Sequence, residues 1–566
     1  MVKKVIGFFT KEFSNLNQAA FLLGSFAFLS QILGLARDRS LAHYLGPSSS
    51  LYVYYAAFRI PDFIFISVAS LASFTVLIPF LMNRLKDGDN KMARDFLSNI
   101  FSIFLIIILA VSSIVFLVMP YLAKIIAPGF SSEMISNLVV LSRIMLVSPI
   151  LLGLSNLLGS VTQIYNKFFI YALSPILYNL GILVGVILFY PIFGLNGLAL
   201  GVVLGAFLHF IIQIPVVIKQ KFIPKFSFFI DFKEVKETVL LSLPRTIGLA
   251  ANNIALIAML AFASTISEGS VSIFNFAMNL QVIPVTIFGV SYSVAVFPTL
   301  SKSFSIGDID SFIERITASI KQIIFWSIPT VFLFIILRAQ IVRVILGSGR
   351  FTWSDTKLTA AALVLFALSV LAQSLIMILV RGFYAAGKTK VPLYVNVIFS
   401  TLSIIIAFGL ISIYKSNPEF QMFTQNLLRV DQTSSAAVLM LPLAYSIATI
   451  LNFTTLWYLF RKNFSDHKFI NLSKVFWQVV IASFGLGLVT YNALGFFDNF
   501  LDLNTFWGIL GQGFLSGILG IITAILILYL LKNEELSQIW RTIHTKFWKT
   551  RVISPAQENL QNVDKI

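Results

Sequence analysis

The sequence predicts an all-α polytopic membrane protein of about fourteen transmembrane helices, built as two pseudo-symmetric six-helix lobes plus two C-terminal helices. Three observations predict it. The 566 residues are 58% hydrophobic and 11% charged, with 56 Phe, whereas a soluble domain carries roughly 25% charged residues. Apolar stretches of about 20 residues recur along nearly the whole chain, each long enough to cross about 30 Å of hydrocarbon as a helix, the form in which a lipid-exposed backbone satisfies its own hydrogen bonds. The third observation is an internal repeat.

Taken in order, the expected spans lie at roughly 16–36, 51–82, 99–122, 135–160, 168–190, 195–217, 239–263, 271–298, 318–337, 358–380, 391–413, 434–460, 472–494 and 507–531. The first follows a short basic start (Lys3, Lys4, Lys11). No small-residue cleavage site follows it, so it reads as an uncleaved span. With the N-terminus placed in the cytoplasm, most of the 41 Lys and Arg fall in cytoplasmic segments. That asymmetry predicts a multi-pass protein of the cytoplasmic membrane with both termini inside. The +17 net charge is then a topology and anionic-lipid signal, not a nucleic-acid one. After Lys532 the tail "IWRTIHTKFWKT" alternates Trp540, Phe547 and Trp548 with basic residues and predicts an amphipathic helix on the inner membrane surface.

The repeat appears when the chain is shifted by 219 residues. "VLIPFL" then falls on "AVFPTL", pairing Pro79 with Pro298, and "AKIIAPG" falls on "VRVILGS", pairing Lys124 with Arg343. Tyr165 also pairs with Tyr384. Six spans is an even number, so both copies keep one orientation and a cleft between them is the expected substrate path. The domain boundaries follow: 1–218 and 219–462 for the two six-helix lobes, 463–532 for helices 13 and 14, and 533–566 for the cytoplasmic tail.

Several chemistries are excluded. The chain has no Cys and only four His, none at metal-ligand spacing, so neither a disulfide framework nor a metal is expected. No GxxxxGK[ST] loop is present, so no nucleotide drives the protein. Beyond Asp62 there is no convergent acid, base or nucleophile at depth. No enzyme and no cofactor are expected.

The charges within spans are therefore the informative residues. Arg59 lies about 12 Å into the second span by helical rise. A charge there costs about 2.5–3.5 kcal/mol, so it faces a cavity or a partner. Asp62 follows at i+3 on the same face and offers an alternative, an internal Arg59–Asp62 pair. In "LSQILGLARDRSLAHYLG", Arg37 either snorkels at the outer end of the first span or belongs to a cavity, Asp38 caps the next turn, and Arg39 reads as a surface boundary charge. Arg143 and Arg245 read as snorkelling residues near span ends. Asn252, Asn253, Asn275 and Asn279 are interhelical glue or cavity lining; Asn275 and Asn279 share a face at i, i+4. His209 reads as a packed histidine, and the glycines of "GLALGVVLGA" as a helix-packing stripe.

These residues resemble the MurJ/MviN family, lipid II flippases of the multidrug/oligosaccharidyl-lipid/polysaccharide exporter superfamily. The stretches that carry the resemblance are "LGLARDRSLAHYLG", "AAFRIPDF", "VLIPFL", "APGF", "SPILYNLGI", "GLALGVVLGAFLHFIIQIP", "GSGRFTWSDT" and "RGFYAAGKTKVP". The resemblance implies a central cavity lined chiefly by spans 1, 2, 7 and 8, and a lipid-tail groove at spans 13 and 14. It also implies export of a lipid-linked peptidoglycan precursor by alternating access. The departures are specific. Gln31 stands where the family typically has Arg, Phe65 replaces a second Arg of span 2, Met278 and Asn279 replace an Asp-Arg pair, and Met259 falls where some members carry a sodium-binding Asp.

A polyprenyl-diphosphate head group needs positive charge and paired donors, which Arg supplies. The expected substrate-binding residues are Arg37, Asp38, Arg59, Asp62, Gln31, Asn275, Asn279 and Asn253. The expected partners are a lipid-linked diphosphate glycan, membrane lipids and cell-wall synthesis proteins. Two other readings stay open: a flippase or exporter of the same superfamily for another substrate, and a transport-inactive scaffold in cell-envelope synthesis.

Overall fold

The computed structural model describes residues 16–69, 77, 81, 84–85, 90–165, 167–227, 232–267, 269–431, 434–464 and 472–540. These form helices joined by short loops, and no strand occurs among the described residues. The helices before residue 220 are α1 (Leu16–Tyr44), α2 (Ser49–Ile64), α3 (Asn90–Ile126), α4 (Ser132–Met145), α5 (Val147–Ile164), α6 (Phe168–Val184), α7 (Tyr190–Phe193), α8 (Leu195–Ile211) and α9 (Ile214–Lys219). A second group comprises α10 (Phe232–Ile266), α11 (Ser270–Pro284), α12 (Ser291–Ser305), α13 (Ile309–Ile336), α14 (Arg338–Leu346), α15 (Trp353–Ala367), α16 (Val370–Ala385), α17 (Lys390–Ser416), α18 (Pro418–Leu428) and α19 (Met440–Asn463). Two long helices end the described chain, α20 (Ser473–Asp498) and α21 (Phe506–Leu530).

Among the described residues, twelve helical stretches are long and apolar enough to cross a bilayer, and α15 with α16, bent by 41° at a short break, makes a thirteenth. With α1, each of the fourteen expected spans has its helix. The tenth span is thus not the straight helix the sequence suggested. At the break the Ser369 hydroxyl donates to the Phe366 carbonyl at 2.7 Å and accepts from the Gln373 side-chain amide at 2.9 Å.

Before residue 220, α6 packs against α1 and α8, α8 against α5, and α2 against α4. The α6–α8 contact is the close approach that the glycine stripe predicts. A Cβ at Gly201 would lie 2.4 Å from the Gly185 Cα, so both positions must stay without side chains. In the second group, α11 packs on α15, α13 on α16, and α17 on α10 and α19. The pair α20–α21 packs against α13 and α14.

The 219-residue offset recurs in the backbone. A π-helical turn at Phe65–Ala69 follows α2, and one at Val285–Val290 follows α11. The offset carries the first onto the second within one residue. Tyr165 and Tyr384 both sit at helix C-termini, those of α5 and α16. Pro79 lies outside the described residues, as do Lys3, Lys4, Lys11 and tail residues 541–566. Before that tail, the chain is pinned: Glu535 lies 3.9 Å from Lys321 of α13, and Asn533 donates to Gln478 of α20 at 2.9 Å.

Candidate functional site

The site lies where the helices before residue 220 meet those after it. Every inter-group contact described next falls at one end of the bundle, the end reached by the C-termini of α1, α3 and α10 and the N-termini of α2 and α11.

Five of the expected residues interlock here. Arg37 pairs with Asp38, its neighbour in α1, at 2.9 Å. Asp38 is buried, 3% exposed, and its second oxygen accepts from the Asn279 amide of α11 at 3.0 Å. Arg59 of α2 donates to Asn275, one turn earlier on α11. Asn275 and Asn279 share the face expected of an i, i+4 pair. Each holds one charged residue from across the divide. A buried carboxylate needs such partners, because an unpaired one costs several kcal/mol.

Arg59 and Asp62 do not form the internal pair that was the alternative reading. No ion pair between them falls within 4.0 Å among the described residues, although Asp62 stays within electrostatic reach of Arg59 and Arg37. Asp62 is exposed, about 20 Å down α2 from Ser49 by helical rise. A carboxylate at that depth cannot face hydrocarbon, so it faces a polar cavity. Arg59 has a neutral partner and keeps its Nε buried with no hydrogen-bond partner. Arg37 is neutralised by Asp38. Arg59 is therefore the cation with donors and charge to spare.

The other two expected residues stand apart. Gln31, half-buried one turn and a half below Arg37, makes no side-chain hydrogen bond to a described residue. Asn253 donates to the Leu249 carbonyl of its own helix at 3.0 Å, so it bridges nothing. Met259 is fully buried, packed as core rather than turned to the cavity. Arg245 lies outside the described side chains.

Three residues escaped the sequence reading. Asn179 of α6 accepts from Arg37 at 3.4 Å and donates to Ser30 at 3.1 Å, tying α6 to α1. The buried hydroxyls of Tyr54 and Tyr55 have no hydrogen-bond partner. A signal existed for Tyr55: with Arg59 and Asp62 it forms an i, i+4, i+7 stripe on α2.

Arg39 requires a correction. Read as a surface charge, it donates to the Val344 carbonyl at 2.6 Å and the Ile345 carbonyl at 3.3 Å, and lies 5.1 Å from the Phe506 ring centroid. It caps the C-terminus of α14 across the divide, where the helix leaves carbonyls unpaired and the dipole favours a cation. Around it the chains interdigitate. The Arg350 N–H donates to the His43 carbonyl at 3.3 Å. Gly46 and Gly349, both at positive φ, let these two loops pass at van der Waals distance. On the far side, the Gly129 N–H donates to the Ser264 hydroxyl at 3.2 Å. These contacts hold the two helical groups together at this end.

His209 and Arg143 both find partners within the protein. His209 hydrogen-bonds Ser155 at 2.7 Å within a packed cluster that includes Gln213, as the packed reading expected. Arg143 donates to the Phe116 carbonyl at 3.0 Å and lies 4.5 Å from that ring centroid.

Residues 41–511 match the sequence model of a family described as "Lipid II flippase MurJ". The chain is 28% identical over 526 residues to a probable lipid II flippase MurJ of Buchnera aphidicola subsp. Schizaphis graminum, covering 89% of this chain and 96% of the relative. It is 30% identical over 392 residues to a probable lipid II flippase MurJ of Bdellovibrio bacteriovorus, covering 66% and 73%. Among solved structures, a lipid II flippase MurJ in an inward closed conformation superposes with TM-score 0.71 at 23% identity, over 92% of this chain and 99% of that one. An inward-facing multidrug-resistance MATE family transporter superposes with TM-score 0.62 at 14% identity, over 78% and 98%. Both likenesses are of fold.

Proposed function

The chain belongs to the MurJ lipid II flippase family, and on that footing we propose that it moves lipid II, a polyprenyl-diphosphate-linked peptidoglycan precursor, from the inner to the outer leaflet by alternating access. The observation that carries the reading is Arg59. It is a deep cation with a neutral partner and a spare donor, set beside an exposed carboxylate in an otherwise apolar bundle.

The tail stays in lipid, and the diphosphate needs the donors that water supplied outside. Arg59 supplies charge and a planar donor edge. Arg37, paired with Asp38 while Asn279 also holds that carboxylate, adds a second guanidinium on the neighbouring helix. Asp62 and the Asn residues suit the hydroxyls and amides of the glycopeptide. With both termini in the cytoplasm, as the basic loops require, the closed end faces outward and the cavity fills from inside. The two helical groups act as the moving lobes, with the groove of α20 and α21 holding the tail.

Alternation then has a physical basis. Opening the outer end must break the contacts of Arg39, Asp38 and Arg59 across the divide. An anionic head group that replaces Asn275 at Arg59 lowers that cost, and only differential binding of this kind can shift the equilibrium. The energy source is a gradient or removal of product outside.

The test is reconstitution in liposomes with labelled lipid II, scoring head groups protected from or exposed to an external reagent. Exposure should rise above protein-free vesicles. No rise, with a correctly folded protein, overturns the reading.

A further inference from the structure

We propose that the connection between the two helical groups is a binding site for an anionic phospholipid, with one acyl chain seated in an apolar cavity beneath it. The proposal rests on the cavity, the charges on its rim and the shape of the connection, and not on the transported substrate.

The cavity encloses about 210 Å³ and lies at the end of the bundle opposite the closed contact. Phe101 of α3, Leu154 and Leu158 of α5 and Phe210 of α8 line its wall, and Ile218 and Ile223 of the connection line its mouth. No ionisable side chain lines it. After α9 the chain turns at Lys221, which takes a left-handed φ of 57°. It then runs without helix across the start of α3. Two hydrogen bonds hold it there: the Lys225 N–H donates to Ser98 Oγ at 3.0 Å and the Ser227 N–H to Ser102 Oγ at 2.9 Å.

From the end of α9 onward, this connection interleaves two chemistries. Ile218, Ile223 and Phe226 are 53%, 51% and 44% exposed. Lys219, Lys221 and Lys225, set between them, are also exposed. Arg94 lies one turn before Ser98 on α3. No carboxylate of a described residue comes within 4.0 Å of these four cations; Asp95, the neighbour of Arg94, pairs with none of them. Exposed apolar side chains interleaved with unpaired lysines match the boundary between acyl chains and head groups. A zwitterionic head group would leave that charge uncompensated, and a soluble anion would leave the cavity unfilled. A phosphate-bearing lipid with net negative charge satisfies both. At the cytoplasmic face, where the basic loops place this connection, such lipids are drawn to lysine clusters.

The experiment reconstitutes the full chain in vesicles containing a photoreactive-acyl phosphatidylglycerol or the matching phosphatidylcholine, and maps labelled peptides after illumination. Residues 210–226 should be labelled more by phosphatidylglycerol than by phosphatidylcholine. Replacing lysines by Lys219→Gln, Lys221→Asn (which tolerates the left-handed backbone) and Lys225→Gln should reduce the preference roughly five-fold per lysine. Leu158→Trp, which fills the cavity and keeps the lysines, should remove labelling within the cavity while the other helices label as before. Melting temperature checks that each variant is folded. Equal labelling by the two lipids, or a preference that survives the triple substitution, overturns the proposal. Displacement of the label by undecaprenyl diphosphate, but not by unlabelled phosphatidylglycerol, would also overturn it and assign the cavity to a substrate tail.

Discussion

Arg59 and Arg39 sit on the same side of the molecule and do different work. Arg59→Ala removes a guanidinium whose hydrogen-bond partner, Asn275, is neutral. A charge-assisted hydrogen bond is worth about 1.5–3 kcal/mol, so transport should fall at least ~10-fold, with folding intact by melting temperature. Unchanged transport would leave Arg59 as a structural charge. Arg39→Ala instead removes the cap on α14 and the Phe506 contact. It should loosen the closed end by about 1–2 kcal/mol and speed labelling of a cysteine placed at Gln31, which lies deeper on α1 and makes none of those contacts. Labelling at the wild-type rate would contradict that role. The sequence made Arg37, Asp38, Arg59 and the asparagine face of α11 legible, because polar residues in an apolar helix stand out. It hid Arg39, whose partners are backbone carbonyls some 305 residues away in sequence, and it hid Asn179, one amide in an ordinary apolar helix.

At the scale of the element, length and hydropathy located the helices well, and local hydrogen bonding decided what they could not show. Nothing in the composition of residues 353–385 announces the bend between α15 and α16, where Ser369 and Gln373 bond to each other. The glycine stripe of α8, by contrast, was readable and its meaning is steric. Gly201→Ala would force a Cβ to within 2.4 Å of the Gly185 backbone, where neither helix can yield by a rotamer change. Overpacking of this kind costs about 1–3 kcal/mol, visible as a lower melting temperature in detergent. Gly34→Ala in α1 meets nothing within 4 Å and should be neutral or stabilising by about 0.5–1 kcal/mol through helix propensity. If the two substitutions behaved alike, the close packing of α6 on α8 would be wrong.

For the whole molecule, charge distribution and the repeat together predict an orientation and a direction of travel. The chain has no Cys, so single cysteines report cleanly. Those at Ser49 and Asn417 should label from outside and one at Ser227 only from inside; the reverse would invert the orientation. Moving about two negative charges outward is favoured by roughly 4–5 kcal/mol per 100 mV if they cross the full potential. An imposed inside-negative potential should therefore accelerate transport. With Met259 buried where sodium-binding relatives are expected to carry a carboxylate, exchange of potassium for sodium should change little, and a steep sodium requirement at constant potential would contradict this.

The central claim is that lipid II passes between the two helical groups and must part them at the closed end. The direct measurement uses cysteines at His43 and Arg350, whose backbones meet at 3.3 Å, joined by a short reducible cross-linker in proteoliposomes carrying labelled lipid II. The account predicts that cross-linking stops head groups from becoming exposed and that reduction restores exposure to the rate of the unlinked protein. Transport that continues at that rate through a fully cross-linked population would contradict it.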